Sequence, residues 1–211
     1  MAIDRYKTLI RPGEGEFVIQ KSRFIGHGAP CETEEAARAF LEAIRQKHRE
    51  ANHNCYAYVI GTNAGIMRYS DDGEPGGTAG LPMMEVLKRR GVVNCCVVVT
   101  RYFGGVLLGA GGLVRAYTQG ASAALEAAGV GEMHLTRRCL MDIDYPLYDA
   151  CVHFLKSEPV EIEDTSFTDR VTLTLLVRAA DADAFLARLE AATNARAETV
   201  LMDEFFYAWP E

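Results

Sequence analysis

The sequence predicts an α+β fold in two domains, and three observations carry that reading. Thirteen of the 19 glycines fall between Gly61 and Gly120, and none follows Gly131. Residues 1–130 carry 15 Lys+Arg against 13 Asp+Glu, a balance of +2, whereas residues 131–211 carry 7 against 16, a balance of −9. Beyond Gly131 the elements read β-α-β-β-α-β, the order of the ferredoxin-like split βαβ motif. The boundary is placed at 130/131, where a helical pattern gives way to a strand pattern around Ala128-Gly129-Val130-Gly131. With 211 residues, 49% hydrophobic and 24% charged, either part can bury a core. The same composition excludes a disordered chain, a collagen-like repeat and a coiled-coil rod.

In the first part, Glu16 to Gln20 and Arg23 to His27 read as strands around Lys21-Ser22. Thr33 is placed to cap a helix to about Arg49. Ala36, Ala37, Phe40, Leu41 and Ile44 share one face of it. Glu34 and Glu35 open that helix and Lys47, His48 and Arg49 close it, which suits the helix dipole. Asn54 to Ile60 and Ile66 to Ser70 form a strand pair, and a short helix follows from about Thr78 to Arg89. Val92 to Arg101 is nearly all apolar, as a strand buried on both faces requires. Leu113 to Ala128 is a helix with the stripe Leu113, Tyr117, Ala121 and Leu125, ended by Gly129.

In the second part, Arg138 to Tyr145 is a strand with Cys139, Met141, Ile143 and Tyr145 on one face. Pro146 opens a helix that turns Leu147, Cys151 and Leu155 inward. Val160 to Glu163 and Val171 to Val177 are strands. Asp181 caps a helix bearing Ala182, Phe185, Leu186 and Leu189, and Thr199 to Tyr207 is the last strand.

Charges occupy the first residues, where a signal peptide needs an apolar stretch. The longest strongly apolar run, Cys95 to Val99, falls far short of the about 20 residues that a membrane span needs. A cytoplasmic protein without a membrane partner is expected. The six cysteines include no C-x-x-C pair, and adjacent Cys95 and Cys96 point to opposite faces of a strand. They read as free buried thiols.

Two segments could carry chemistry. Asp71-Asp72-Gly73-Glu74-Pro75-Gly76-Gly77-Thr78 sets three carboxylates before a glycine-rich helix entry. It could be a simple turn, since Asp-Gly favours positive φ and Pro75 fixes the next bend. It could also be a binding surface, a hard-metal site or an acid/base pair. The second segment runs from Arg101-Tyr102-Phe103-Gly104-Gly105 through Gly109, Gly111 and Gly112 to Arg115, as strand, glycine-rich turn and helix. Backbone N–H groups at such a helix start can cradle an anion. Close packing of helix on sheet explains the glycines equally well. Ala110 and Gly111 stand where a P-loop needs Lys and Ser/Thr, and Val114 where a dinucleotide fingerprint needs its third glycine, so neither applies. His53 and Cys55 face the same side of a strand, as a core pair or a thiol–imidazole pair. The candidate ligand-contacting set is Asp71, Asp72, Glu74, Thr78, Arg101, Tyr102, Gly104, Gly105, Gly109, Gly111, Gly112 and Arg115. No catalytic residue, metal ligand or cofactor is assigned.

With Lys21-Ser22-Arg23-Phe24-Ile25, these motifs make the chain resemble bacterial members of the IMPACT/YigZ family over most of residues 17–128. The remainder resembles the family's bacterial C-terminal domain in element order and length. The resemblance implies a first domain like the fourth domain of elongation factor G, a fold shared with a ribosomal protein. It implies a second, ferredoxin-like domain akin to that factor's fifth. Eukaryotic relatives regulate translation, so the resemblance implies a non-enzymatic, translation-related protein that binds RNA, the ribosome or a translation factor. Leu81 stands where relatives often carry Arg or Lys, and Gly76 where Ser or Ala is usual. Two alternatives remain: a metal-dependent hydrolase using Asp71, Asp72 and Glu74, and a protein-interaction module docking through the acidic second domain. Whether the two glycine-bearing segments meet in space is the question the sequence leaves to the fold.

Overall fold

The computed structural model describes residues 3–209. Residues 1–2 of the charged amino-terminal stretch, and 210–211, lie outside the described residues. The strands are β1 (Arg5–Leu9), β2 (Gly13–Ile19) and β3 (Ser22–Pro30), followed by helix α1 (Glu34–Lys47). Next come β4 (His53–Ile60), β5 (Ile66–Ser70), α2 (Gly80–Arg90), β6 (Cys95–Tyr102) and α3 (Gly109–Ala128). The chain continues through β7 (Val130–Ile143), α4 (Tyr148–Leu155), β8 (Val160–Phe167), β9 (Val171–Arg178), α5 (Ala182–Thr193) and β10 (Glu198–Ala208). By internal contacts the chain forms two compact units: Tyr6–Glu132, and 133–209 together with residues 3–5.

The first unit is an antiparallel sheet in the order β2-β3-β6-β4-β5. β3 and β4 flank β6, and α1 connects them as a split βαβ unit. β6 is buried on both faces, as its apolar run requires. Its odd residues Cys95, Val97 and Val99 join the core under α2 and α3, while Cys96 and Val98 join the core under α1. The two adjacent cysteines thus serve opposite faces, and all six cysteines are free and buried. Thr33 caps α1, its hydroxyl accepting from the Ala36 N–H at 3.1 Å.

Long α3 lies on glycines. A Cβ at Gly26 would sit 2.2 Å from the Gly120 carbonyl oxygen, and one at Gly13 2.3 Å from the Ala128 nitrogen. Close packing of helix on sheet therefore belongs to Gly13, Gly26 and Gly120 rather than to the glycines that precede the helix. Gly129, with φ +72°, ends α3 through its N–H to Leu125.

The second unit has the strand order β10-β7-β9-β8, all antiparallel, with the expected β-α-β-β-α-β sequence. Cys139, Met141 and Ile143 meet Leu147, Cys151, Leu155, Phe185 and Leu189 in its core. Asp181 precedes α5, but its side chain makes no capping bond, because a short 3-10 turn over Ala179–Asp181 leads directly into the helix. Among the described residues no helix is long and apolar enough to cross a membrane.

Several boundaries differ from the sequence reading. β1 carries no clear apolar alternation in its sequence, although two of its residues, Tyr6 and Leu9, reach the core. α3 begins at Gly109 rather than Leu113, because its first turn is made of glycine and alanine and lacks an apolar stripe. β7 runs from Val130 to Ile143, so Tyr145 leaves the strand for a 3-10 turn and is exposed, and β8 runs on to Phe167; pairing with β10 back to Met133 and with β9 carries both strands past their apolar residues.

Candidate functional site

The three carboxylates of the acidic segment have separate tasks. Asp71 accepts the N–H groups of Gly77, Ala79 and Gly80 at 2.8–3.0 Å, and so serves the otherwise uncapped start of α2. Burial would raise its pKa, yet these amides outweigh it and hold the carboxyl below its ordinary value. Asp72, at φ +44°, accepts the Asn54 N–H at 2.7 Å and meets Arg45 of α1 at 3.3 Å. Glu74 is turned inward, its side chain 3% exposed. Its Oε1 accepts from Arg101 and from the Tyr117 hydroxyl, both at 2.7 Å. Thr78 is buried and donates to the Pro75 carbonyl, locking the turn.

Each carboxylate is thus already paired with protein donors. Among the described residues no group of three His, Cys, Asp or Glu side chains is placed to hold a metal ion. The metal-hydrolase alternative loses the converging carboxylates it required, because sequence adjacency put on one segment three groups that the turn sends in three directions.

Arg101 comes from the end of β6 and is 5% exposed. Its guanidinium lies between the rings of Phe24 and Phe103, 5.5 and 5.4 Å from their centroids. Its Nη1 pairs with Glu74, and its Nε is buried without a partner. Tyr102 follows in the strand and points to the other face, its hydroxyl 2.9 Å from His48 Nδ1. Gly104 packs on the Lys21-Ser22 turn, where a Cβ would sit 2.1 Å from the Lys21 carbonyl carbon. Its N–H reaches Ser22 Oγ at 3.2 Å.

The Glu74-bearing turn and the Arg101–Gly109 loop line one cleft of about 440 Å³. Asn52 and His53 from the start of β4 join them, with Pro75, Phe103, Leu107 and Leu108 as apolar walls. The first residues of α3, Gly109 and Ala110, close one end, and no side chain caps that helix. Of the expected set, Glu74, Arg101 and Gly109 line the cleft. Asp71, Asp72 and Thr78 shape the turn behind it. Gly105, with φ +83°, and Gly111 leave the backbone of the loop and helix start open, and Gly112 lies near Leu108 Cβ. Arg115 is exposed on α3 outside the lining, and Tyr102 is turned away. Asn52, His53, Phe103 and Leu107 were not in that set. The signal for Phe103 and Leu107 was an exposed-looking apolar loop between glycines, where Phe103 is 44% and Leu107 85% exposed, and Asn52 and His53 join only through the fold.

No thiol is activated near the cleft. Burial, with little relief from the Tyr117 hydroxyl, pushes the Cys55 thiol well above its ordinary value, and its Sγ donates to the Asp71 carbonyl. Burial, then Cys55 and Glu74 beside it, raises the Tyr117 phenol as well. His53 and Cys55 do face one side, but both bind the acidic turn rather than each other.

Comparisons with known proteins agree on a family. Residues 20–125 match the model of the Impact N-terminal domain, and residues 141–196 match a domain of unknown function, DUF1949. The chain is 42% identical over 193 residues to IMPACT family member YvyE of Bacillus subtilis, covering 92% of this chain and 89% of that one. It is 50% identical over 109 residues to IMPACT family member YigZ of Escherichia coli, covering 51% and 53%. The Protein IMPACT homolog of Saccharomyces cerevisiae is 35% identical over 91 residues, covering 42% and 35%. A solved structure described as a crystal structure of an hypothetical protein superposes with a TM-score of 0.62 at 32% identity, over 96% of this chain and 99% of that one.

Proposed function

The chain belongs to the IMPACT family, and from that premise we propose that it is a translation-related, non-enzymatic binding protein that takes a single-stranded RNA segment in this cleft. The translation-related part rests on the family resemblance, which implies for the first domain, residues 1–130, a fold like the fourth domain of elongation factor G. The RNA part rests on one observation: the acidic turn and the glycine-flanked loop meet in one cleft that is apolar along its walls and rich in backbone N–H at its end. A phosphate suits the uncapped start of α3, where the dipole and free amides favour an anion. A base suits the exposed ring of Phe103, which is held on its other side by Arg101.

The test is fluorescence anisotropy of a labelled single-stranded RNA with the full chain at low salt. Binding is expected, and Phe103→Ala should weaken it by about 1–3 kcal/mol, the worth of one base–aromatic stack. No binding at low salt would overturn the reading. A second reading, a protein partner, is favoured by the exposed Val106 and Leu107 beside the cleft. It would be supported if no RNA binds and a captured translation factor is released by Leu107→Asp.

A further inference from the structure

Between α2 and α3 lies a second groove, of about 350 Å³, that shares no lining residue with the cleft. Both helices spend their largest apolar residues on the core beneath them: Met83, Met84 and Leu87 from α2, Leu113 and Tyr117 from α3. What they leave between them is aliphatic. Leu81 and Pro82 open α2 and Val86 follows one turn on, with Val114 and Thr118 on the α3 side. Leu81 is 41% and Val114 37% exposed. The Thr118 hydroxyl donates to the Val114 carbonyl at 2.8 Å, so the part of Thr118 left for a ligand is its methyl group.

The rim is cationic. Glu85 is the one carboxylate of the lining, and Lys88 neutralises it at 3.0 Å. Arg89 lines the groove, Arg90 follows it, and Arg115 comes one residue after Val114. All three arginines are exposed, and none has an ion-pair partner among the described residues. The other carboxylate of these two helices, Glu126, lies about two turns beyond Thr118.

These features fit one class of occupant. A wall without an aromatic ring gives a base nothing to stack on. The backbone on both sides is helical and hydrogen-bonded internally, so an added strand finds no edge to pair with. A third helix needs neither. It sets an apolar stripe recurring at i, i+4 and i+7 into the groove, and flanks that stripe with charges that match the rim. We propose that the α2–α3 groove docks an acidic amphipathic helix of a partner protein. Leu81 and Val114 hold the stripe, and Arg89 and Arg115 select glutamate or aspartate over lysine on its flanks. The proposal is independent of the RNA reading, since neither Phe103 nor Gly109 lines this groove.

The experiment is a titration of the isotope-labelled full chain, followed by amide NMR, with three synthetic peptides of about 15 residues, long enough to hold a helix. One carries a leucine stripe flanked by glutamates, the second has lysines in place of the glutamates, and the third scatters the leucines of the first. The glutamate peptide should shift amides of α2 and α3 and bind about fivefold or more tightly than the lysine peptide at low salt. That gap should narrow at about 1 M salt, where the charges are screened. Scattering the leucines should abolish binding. Leu81→Ser should weaken the glutamate peptide about tenfold, and Arg89→Glu with Arg115→Glu should reverse the preference between the first two peptides. No amide shift on α2 or α3 with millimolar glutamate peptide overturns the proposal, as does equal binding of all three. Shifts on these helices with anionic phospholipid vesicles or single-stranded RNA, and none with peptide, overturn it too and assign the groove to a membrane or to nucleic acid.

Discussion

A guanidinium held between two phenyl rings needs a counter-charge, and Arg101 finds it in Glu74 at 2.7 Å. The pair costs desolvation of both ions, so its net worth is small, but removing one partner strands the other. Arg101→Ala is therefore expected to destabilise the fold by about 3–5 kcal/mol. Arg101→Met combined with Glu74→Gln should recover much of that loss. Urea unfolding of the single and double variants checks it, and equal losses in both would refute the coupling. For the same reason Arg101→Ala is a poor probe of binding, and Phe103→Ala, at the rim, is the cleaner one. The sequence placed Glu74 and Arg101 among the candidates by residue type. It left open that they meet, because 27 residues separate them and only the register of β6 beside β4 brings them together.

At the scale of elements, glycines in this chain have two unrelated duties, and spacing alone does not separate them. Gly26 lies under α3, where any side chain would meet the Gly120 backbone. Gly76 lies in the acidic turn, where a Cβ would meet nothing within 4 Å and φ is not positive. Gly26→Ala is expected to cost about 1–3 kcal/mol or more, since α3 must lift from β3. Gly76→Ala should stay within about 0.5 kcal/mol of the native protein. Thermal unfolding of both variants distinguishes them, and similar melting points would contradict this account of α3 packing. The strands, helices and their inward faces were legible because apolar residues recur at periods of two and 3.6. The start of α3 was not, because its first turn has no apolar face to recur.

At the scale of the whole molecule, the formal charge of −7 argues against a protein that coats nucleic acid. The split into +2 over residues 1–130 and −9 over 131–211 confines any phosphate contact to the first part. A single cleft contacts one or two phosphates. The logarithm of the RNA association constant should then fall with the logarithm of salt with a slope of about −0.7 to −1.4. Anisotropy across a salt series measures that slope, and a value steeper than about −3 would demand a broad basic footprint that this charge distribution does not provide.

The sequence by itself determined the two-part α+β architecture, the ferredoxin-like order of the second part and three residues of the cleft, Glu74, Arg101 and Gly109. These follow from composition, local periodicity and motif spacing, which are properties of neighbouring residues. Only the tertiary structure decided which of those residues share a site. Strand parity turned Tyr102 away while keeping Arg101. The acidic turn spent Asp71 on a helix start and Asp72 on β4. Pairing of β4 with β6 delivered His53 to Glu74. Such contacts are long-range in sequence and depend on register, where a shift of one residue reverses the face of every side chain.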